Sequence, residues 1–174
     1  MTSKEVSHML VKVYGGKPAV KALIHDAVNF AARKLMSSRL CNSLEITISF
    51  DPKLMLNSGS LAECEWVDSH HRGKEYEITL DKYQSPFLLI LSIMHEMVHV
   101  KQFAKGELVQ SMKDGRKHKW QKNQWIDDTK MGYYDLPWEI EAHGREKGLL
   151  VEWINQTDLM SERQKQEWKN KFLF

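Results

Sequence analysis

The sequence predicts an α+β fold built as one domain, and three observations carry that expectation. Apolar residues fall at helical spacing in long segments, they alternate with polar residues in short ones, and no linker, internal repeat or low-complexity tract divides them. A length of 174 residues is that of about one domain, so 1–174 reads as a single unit whose first residues, 1–17, form a loosely ordered N-terminal segment. With 42% apolar and 10% aromatic residues the chain has the material for a core, which excludes intrinsic disorder as its main state.

Each element follows from a local pattern. Residues 18–39 place Val20, Leu23, Ile24, Ala27, Val28, Ala31 and Leu35 along one helical face, with Pro18 suited to the first turn. Residues 44–50 alternate apolar and polar side chains and are stopped by Asp51-Pro52, the pattern of a half-buried strand. Two further strands, 61–67 and 75–80, are joined through 68–74 as a hairpin or meander, which predicts a small, mainly antiparallel sheet. Residues 86–103 are apolar on every side and end before Gly106, as a helix buried all round would be. A small hairpin at 120–125, a helix opened by Pro137 and running to about 155, and a charged helix at 158–168 complete the order.

Charge and cysteine content narrow the function classes. With 25 Lys+Arg against 23 Asp+Glu, the net charge of +2 lacks the footprint of a dedicated nucleic-acid binder. Cys41 and Cys64 form no CxxC unit and read as small buried hydrophobes in a reducing compartment. Residues 1–13 lack the charged, apolar, small-residue order of a signal peptide, so a cytoplasmic protein is expected. The apolar run that starts at Pro86 is interrupted by Ser92, His95, Glu96 and His99, short of the ~20 residues of a bilayer span, so no membrane partner is expected.

The chemistry lies within that run. His95-Glu96-Met97-Val98-His99 is an HExxH motif: residues i and i+4 of a helix project about 40° apart, so both imidazoles leave one face and can bind one metal ion. Glu96 projects about 100° away, beside the metal, where a general base belongs. Burying two imidazoles and a carboxylate among Ile93, Met94, Val98 and Val100 is costly without partners, and a bound cation offsets that cost. An open catalytic site needs a third protein ligand, and the predicted helix from Pro137 offers Glu139, Glu141 and His143. Glu139, Ala142, His143, Glu146, Leu149, Leu150 and Trp153 share its apolar face, so Glu139 is the expected third ligand, with Ala142 allowing the helices to approach closely. Glu141 falls with Arg145 and Glu152 on the polar side and reads as a solvated carboxylate. His143 and Glu146 remain candidates for orienting a metal-bound imidazole. The set His95, His99 and Glu139 with an open position suits Zn2+ best.

HExxH followed by Glu139-Ile-Glu-Ala-His143 resembles the gluzincin zinc metallopeptidases. HEMVHVKQ, the later Trp120 and YYDLPWEIEAHGRE are also similar to the small SprT-like metallopeptidases common in bacteriophage genomes, a likeness that covers residues 93–146. The resemblance implies a minimal zincin-like domain, His, His and Glu ligands with Glu96 as base, a peptide or protein substrate, and the host cytoplasm if the chain is phage-encoded. SprT and Spartan proteases take a third His from a downstream His-Gly element. Here His118 stands in Lys117-His118-Lys119-Trp120 without that Gly, so it reads as an exposed loop residue, with a ligand role as the alternative. The donor to the oxyanion is left open among Tyr133, Tyr134, His118 and His143. An extended substrate would add to an edge strand, supplied by 61–67 or 75–80.

Two other readings stand beside the peptidase. A DNA-associated protease would use the basic stretches 113–122 and 165–171, which interleave Lys with Trp120 and Trp168 as single-stranded nucleic acid requires. A non-catalytic, zinc-stabilised regulator would bind a partner protein instead. His70-His71 reads as an exposed turn beside Gly73, and His8 and His25 have no motif context.

Overall fold

A computed structural model describes residues 9–68 and 73–172. The elements run β1 (Leu10–Val13), α1 (Pro18–Leu35), α2 (Ser38–Cys41), β2 (Glu45–Asp51), α3 (Leu54–Ser58), β3 (Ala62–Trp66), β4 (Glu75–Asp81), α4 (Pro86–Lys105), β5 (Leu108–Gln110), β6 (Lys117–Trp120), β7 (Trp125–Asp127), two 3-10 turns, α5 (Pro137–Gln156) and α6 (Glu162–Asn170). The class is α+β.

Strand pairing differs from the expected mainly antiparallel sheet. The larger sheet has the order β1-β2-β4-β3, in which β1–β2 and β2–β4 are parallel and only β3–β4 is antiparallel. The reason lies in the connections: α1 and α2 carry the chain from β1 back to the start of β2, and a crossover of this kind yields parallel neighbours, whereas the short return after β3 yields a hairpin. Of the segment 1–17, expected to be loosely ordered, Leu10–Val13 pair with β2 along their whole length. A second sheet, β5-β6-β7, is antiparallel throughout; its second hairpin was expected, while β5 is too short to announce itself in the sequence. Gln121 and Lys122 in that hairpin adopt positive φ, 46° and 65°.

One face of the large sheet carries Ile46, Ile48, Tyr76, Ile78 and Leu80, all buried, against α1 and α4. Helix α4 is the central element, with Ile90, Ile93, Met94, Met97 and Val98 at 1% exposure or less, and α5 covers it through Ala142, Leu150 and Ile154, each fully buried. Its ends are fixed. Ser85 Oγ accepts from the Leu88 N–H at 3.4 Å, Pro86 opens the first turn, and Gly106 closes the last at φ 69°, a left-handed conformation that favours glycine. These 20 residues are long and apolar enough to cross a membrane, contrary to the expectation of a shorter run, and 78% of the apolar stretch is buried inside the fold, which accounts for its composition.

The single helix expected over 18–39 breaks after Leu35. Met36 is extended, and Ser37 caps a separate turn, α2, by accepting from the Leu40 N–H. Cys41, in that turn, is buried as expected, and both cysteines are free, although Cys64 on β3 is only half-buried. α6 starts at Glu162, later than expected, where Ser161 and Gln164 form a capping box.

A polar lock ties the first helix to the end of α5. Asp26 Oδ2 accepts from Trp153 Nε1–H at 2.8 Å and from the Thr157 hydroxyl at 2.7 Å. Thr157 is 4% exposed, so losing the acceptor strands two donors in a dry setting. Asp26→Ala is expected to lower unfolding stability by about 2 kcal/mol, read from urea denaturation.

Candidate metal centre and cleft

α4 and α5 pack face to face, and the polar residues of both helices meet at that seam. His95 and His99, one turn apart on α4, bring their Nε2 atoms to 3.1 Å of each other. From α5, Glu139 places Oε2 3.2 Å from His95 Nε2 and Oε1 3.4 Å from His99 Nε2. All three residues are at most 9% exposed. Glu139 Oε2 nevertheless has no hydrogen-bond partner among the described residues. Two imidazole nitrogens and a carboxylate that crowd one buried point within 3.1 to 3.4 Å are the donor set a shared cation takes, so the residues present fit a metal ion.

The outer partners fix how the two rings present themselves. His95 Nδ1 lies 2.8 Å from Glu146 Oε2, and a carboxylate can only accept, so Nδ1 carries the proton and the Nε2 lone pair faces the centre when the ring is neutral. His99 is set by a longer chain. Gln102 Nε2 donates to the Trp138 carbonyl at 2.9 Å and to Glu141 Oε2 at 3.1 Å, which turns its Oε1 to accept from His99 Nδ1–H at 2.8 Å. Glu141 is therefore not the solvated carboxylate expected of the polar side. It pairs with Lys101 Nζ from α4 at 2.7 Å and accepts from Arg145, one turn on along α5, at 2.8 Å, because the packing of the two helices brings Lys101 to it. Lys101, only 6% exposed, also pairs with Glu107. Gln102 and Lys101 were missed in the sequence; the signal available was Gln102 three residues after His99, on the same helical face.

Electrostatics follow from the geometry. Burial opposes charge on His95, yet Glu139 and Glu146 outweigh it and raise its pKa to about 10. His99 is raised by Glu139 and Glu96 against its own burial, and Glu139, although buried, is held well below the usual carboxylate range by the two imidazoles. A cation bound at this point would replace those protons. Glu96 points beside the cluster. It is 5% exposed, burial raises its pKa, and it has no hydrogen-bond or ion-pair partner among the described residues.

His143 is close but secondary. His95, Glu139 and His143 each offer an atom within 4.8 Å of the others, so they too could hold a metal. The His95, His99 and Glu139 atoms lie tighter, at 3.1 to 3.4 Å, and His143 leans instead toward Glu146, with Nδ1 at 3.3 Å and its buried Nε2 unpartnered. His118 is not an exposed loop residue. It lies on β6 with its side chain 12% exposed, 3.5 Å from Asp128 and with its ring packed at a tilt against Trp138, because the pairing of β6 with both neighbours turns it inward. His8 and His70-His71 lie outside the described residues.

A cleft runs across the cluster in two lobes that share Glu96 and His95. One is lined by Leu61, Leu88, Leu91, Tyr133, Tyr134 and His143, the other by β3, Trp138, His118 and Glu139. Tyr133 lines both lobes and so stands between them. No family model, curated protein or solved structure matches the chain.

The ranking of metal affinities tests the site. Glu139→Ala is expected to abolish stoichiometric zinc in native mass spectrometry, Glu146→Ala to weaken zinc about 10–100-fold in chelator competition by freeing the His95 ring, and His118→Ala to leave it unchanged.

Proposed function

We propose that this protein is a zinc-dependent metallopeptidase that hydrolyses peptide bonds within the cleft. One observation carries the reading: a carboxylate without a partner, Glu96, sits next to three converging donor atoms whose supporting hydrogen bonds leave two imidazole lone pairs facing inward. His95, His99 and Glu139 would hold the ion, and Glu146 and Gln102 would orient the imidazoles. Bound zinc supplies Lewis-acid polarisation of the scissile carbonyl and lowers the pKa of water toward neutrality.

The chain's own groups do the rest. Glu96 takes the proton of the attacking water and returns it to the leaving amine; burial, by raising its pKa, brings it toward the range in which it can do both. In its imidazolium form His143, with Nδ1–H toward Glu146, donates its otherwise unpartnered Nε2–H to the oxyanion of the tetrahedral intermediate, and the rings of Tyr133 and Tyr134 pack on it to hold its orientation.

Glu96→Gln keeps the ligand set and removes the base. It is expected to bind one zinc as the unaltered chain does and to lose hydrolysis of a labelled unfolded protein by about 10²-fold or more. Turnover retained at the unaltered level would sink the mechanism.

A further inference from the structure

The cleft is bordered by β3, an edge strand whose outer side is open among the described residues. The Asp81 N–H donates to the Leu61 carbonyl at 2.9 Å and the Val67 N–H to the Glu75 carbonyl at 3.0 Å. Residues 61 and 67 thus turn their backbone groups toward β4. By the alternation of an antiparallel ladder, Ala62, Cys64 and Trp66 turn theirs to the open edge. Their side chains face the core, while those of Glu63 and Glu65 face the opposite side of the sheet.

That opposite face is acidic, and its glutamates outnumber its cations. Glu65 lies directly across from Glu77, and Glu45 directly across from Glu75, pairings that repel. Lys12 is the one Lys or Arg that the described strands β1–β4 place there, and it is already paired with Glu45. Among the described residues, Glu63, Glu65, Glu75 and Glu77 have no ion-pair partner. No Lys or Arg lines either lobe of the cleft, and within it the charged partners of Glu139 are the two imidazoles His95 and His99.

We infer that the edge of β3 takes an extended cationic peptide as an added antiparallel strand, with Lys or Arg at alternate positions opposite Glu63 and Glu65 and apolar residues turned toward the Leu61, Leu88 and Leu91 lobe. This rests on the peptidase reading and names its substrate class. An added strand would bond to the backbone of Ala62, Cys64 and Trp66, so the residues opposite Glu63 and Glu65 occupy the non-hydrogen-bonded pairs, where cross-strand side chains approach most closely. Two cations there relieve a repulsion the free protein retains. A second copy of β3 is disfavoured as occupant, because antiparallel pairing would set these glutamates near their own copies. The acidic end of the cleft is the C-terminal end of β3 and the apolar lobe its start, so an antiparallel substrate presents its basic residues on the N-terminal side of the scissile bond.

The test measures binding apart from hydrolysis. Fluorescein-labelled ten-residue peptides, with Lys or Gln at the alternate positions and otherwise identical, are titrated by anisotropy against zinc-loaded, full-length Glu96→Gln protein. The Lys peptide should bind about tenfold tighter at low salt, with the difference shrinking as salt rises. The preference should vanish when Glu63→Gln and Glu65→Gln are added, and a Glu-substituted peptide should be favoured when Glu63→Lys and Glu65→Lys replace them, with circular dichroism verifying the fold. Equal affinity for the Lys and Gln peptides, absence of binding, or a preference unmoved by these substitutions overturns the inference. Charge-selective binding without cleavage by the unaltered chain supports the inference and overturns the peptidase reading; cleavage without charge selectivity does the reverse.

Discussion

Four ionisable side chains meet at one seam between two helices, and the architecture of the protein is arranged around holding them there. His95 and His99 from α4 and Glu139 and Glu146 from α5 are each at most 9% exposed. Carboxylates and imidazoles taken out of water cost several kcal/mol unless each finds a partner. Here each partner is another member of the group or a neighbour fixed by packing: Gln102 is held by a carbonyl and a carboxylate, and Glu141 by two cations. The small Ala142, fully buried, lies on the face that carries Glu139 and Glu146 and lets the helices close upon one another.

Much of this was legible because helices impose a fixed angle between successive residues. The HExxH spacing put His95 and His99 on one face, and the apolar companions of Glu139 assigned it to the buried side of α5, where the structure places it. The same projection misplaced Glu141, since an angle about one helix axis does not reveal that the packing of a neighbouring helix brings Lys101 to it. His118 failed for a related reason. Its inward direction depends on pairing with β5 and β7, and β5 is three residues long, too short for alternation to register. The parallel pairing of β1 and β2 was equally hidden, because strand direction is decided by crossovers.

The two faces of the larger sheet divide the labour. One is dry, carries Ile46, Ile48, Tyr76, Ile78 and Leu80, and backs the helix that bears the HExxH motif. The other concentrates glutamate, and the edge that joins the two faces borders the cleft. Charges on an edge strand usually discourage unwanted pairing. Along β3 the same charges become selective, since they repel most strands and favour those of opposite sign.

The distance along the chain over which the structure closes has a bearing on how it is made. The bond from His95 to Glu146 joins positions 51 residues apart, and the bond from Thr157 to Asp26 joins positions 131 apart. Contacts of such separation reward the chain only after much of its loop-closure entropy has been lost, so they form late. During synthesis α4 emerges with an apolar surface and two unpartnered imidazoles, His95 and His99, before α5 exists to cover it. Until the last quarter of the chain is made, the nascent protein exposes an aggregation-prone helix and lacks Glu139 and Glu146, so the four-residue cluster is completed only with the fold.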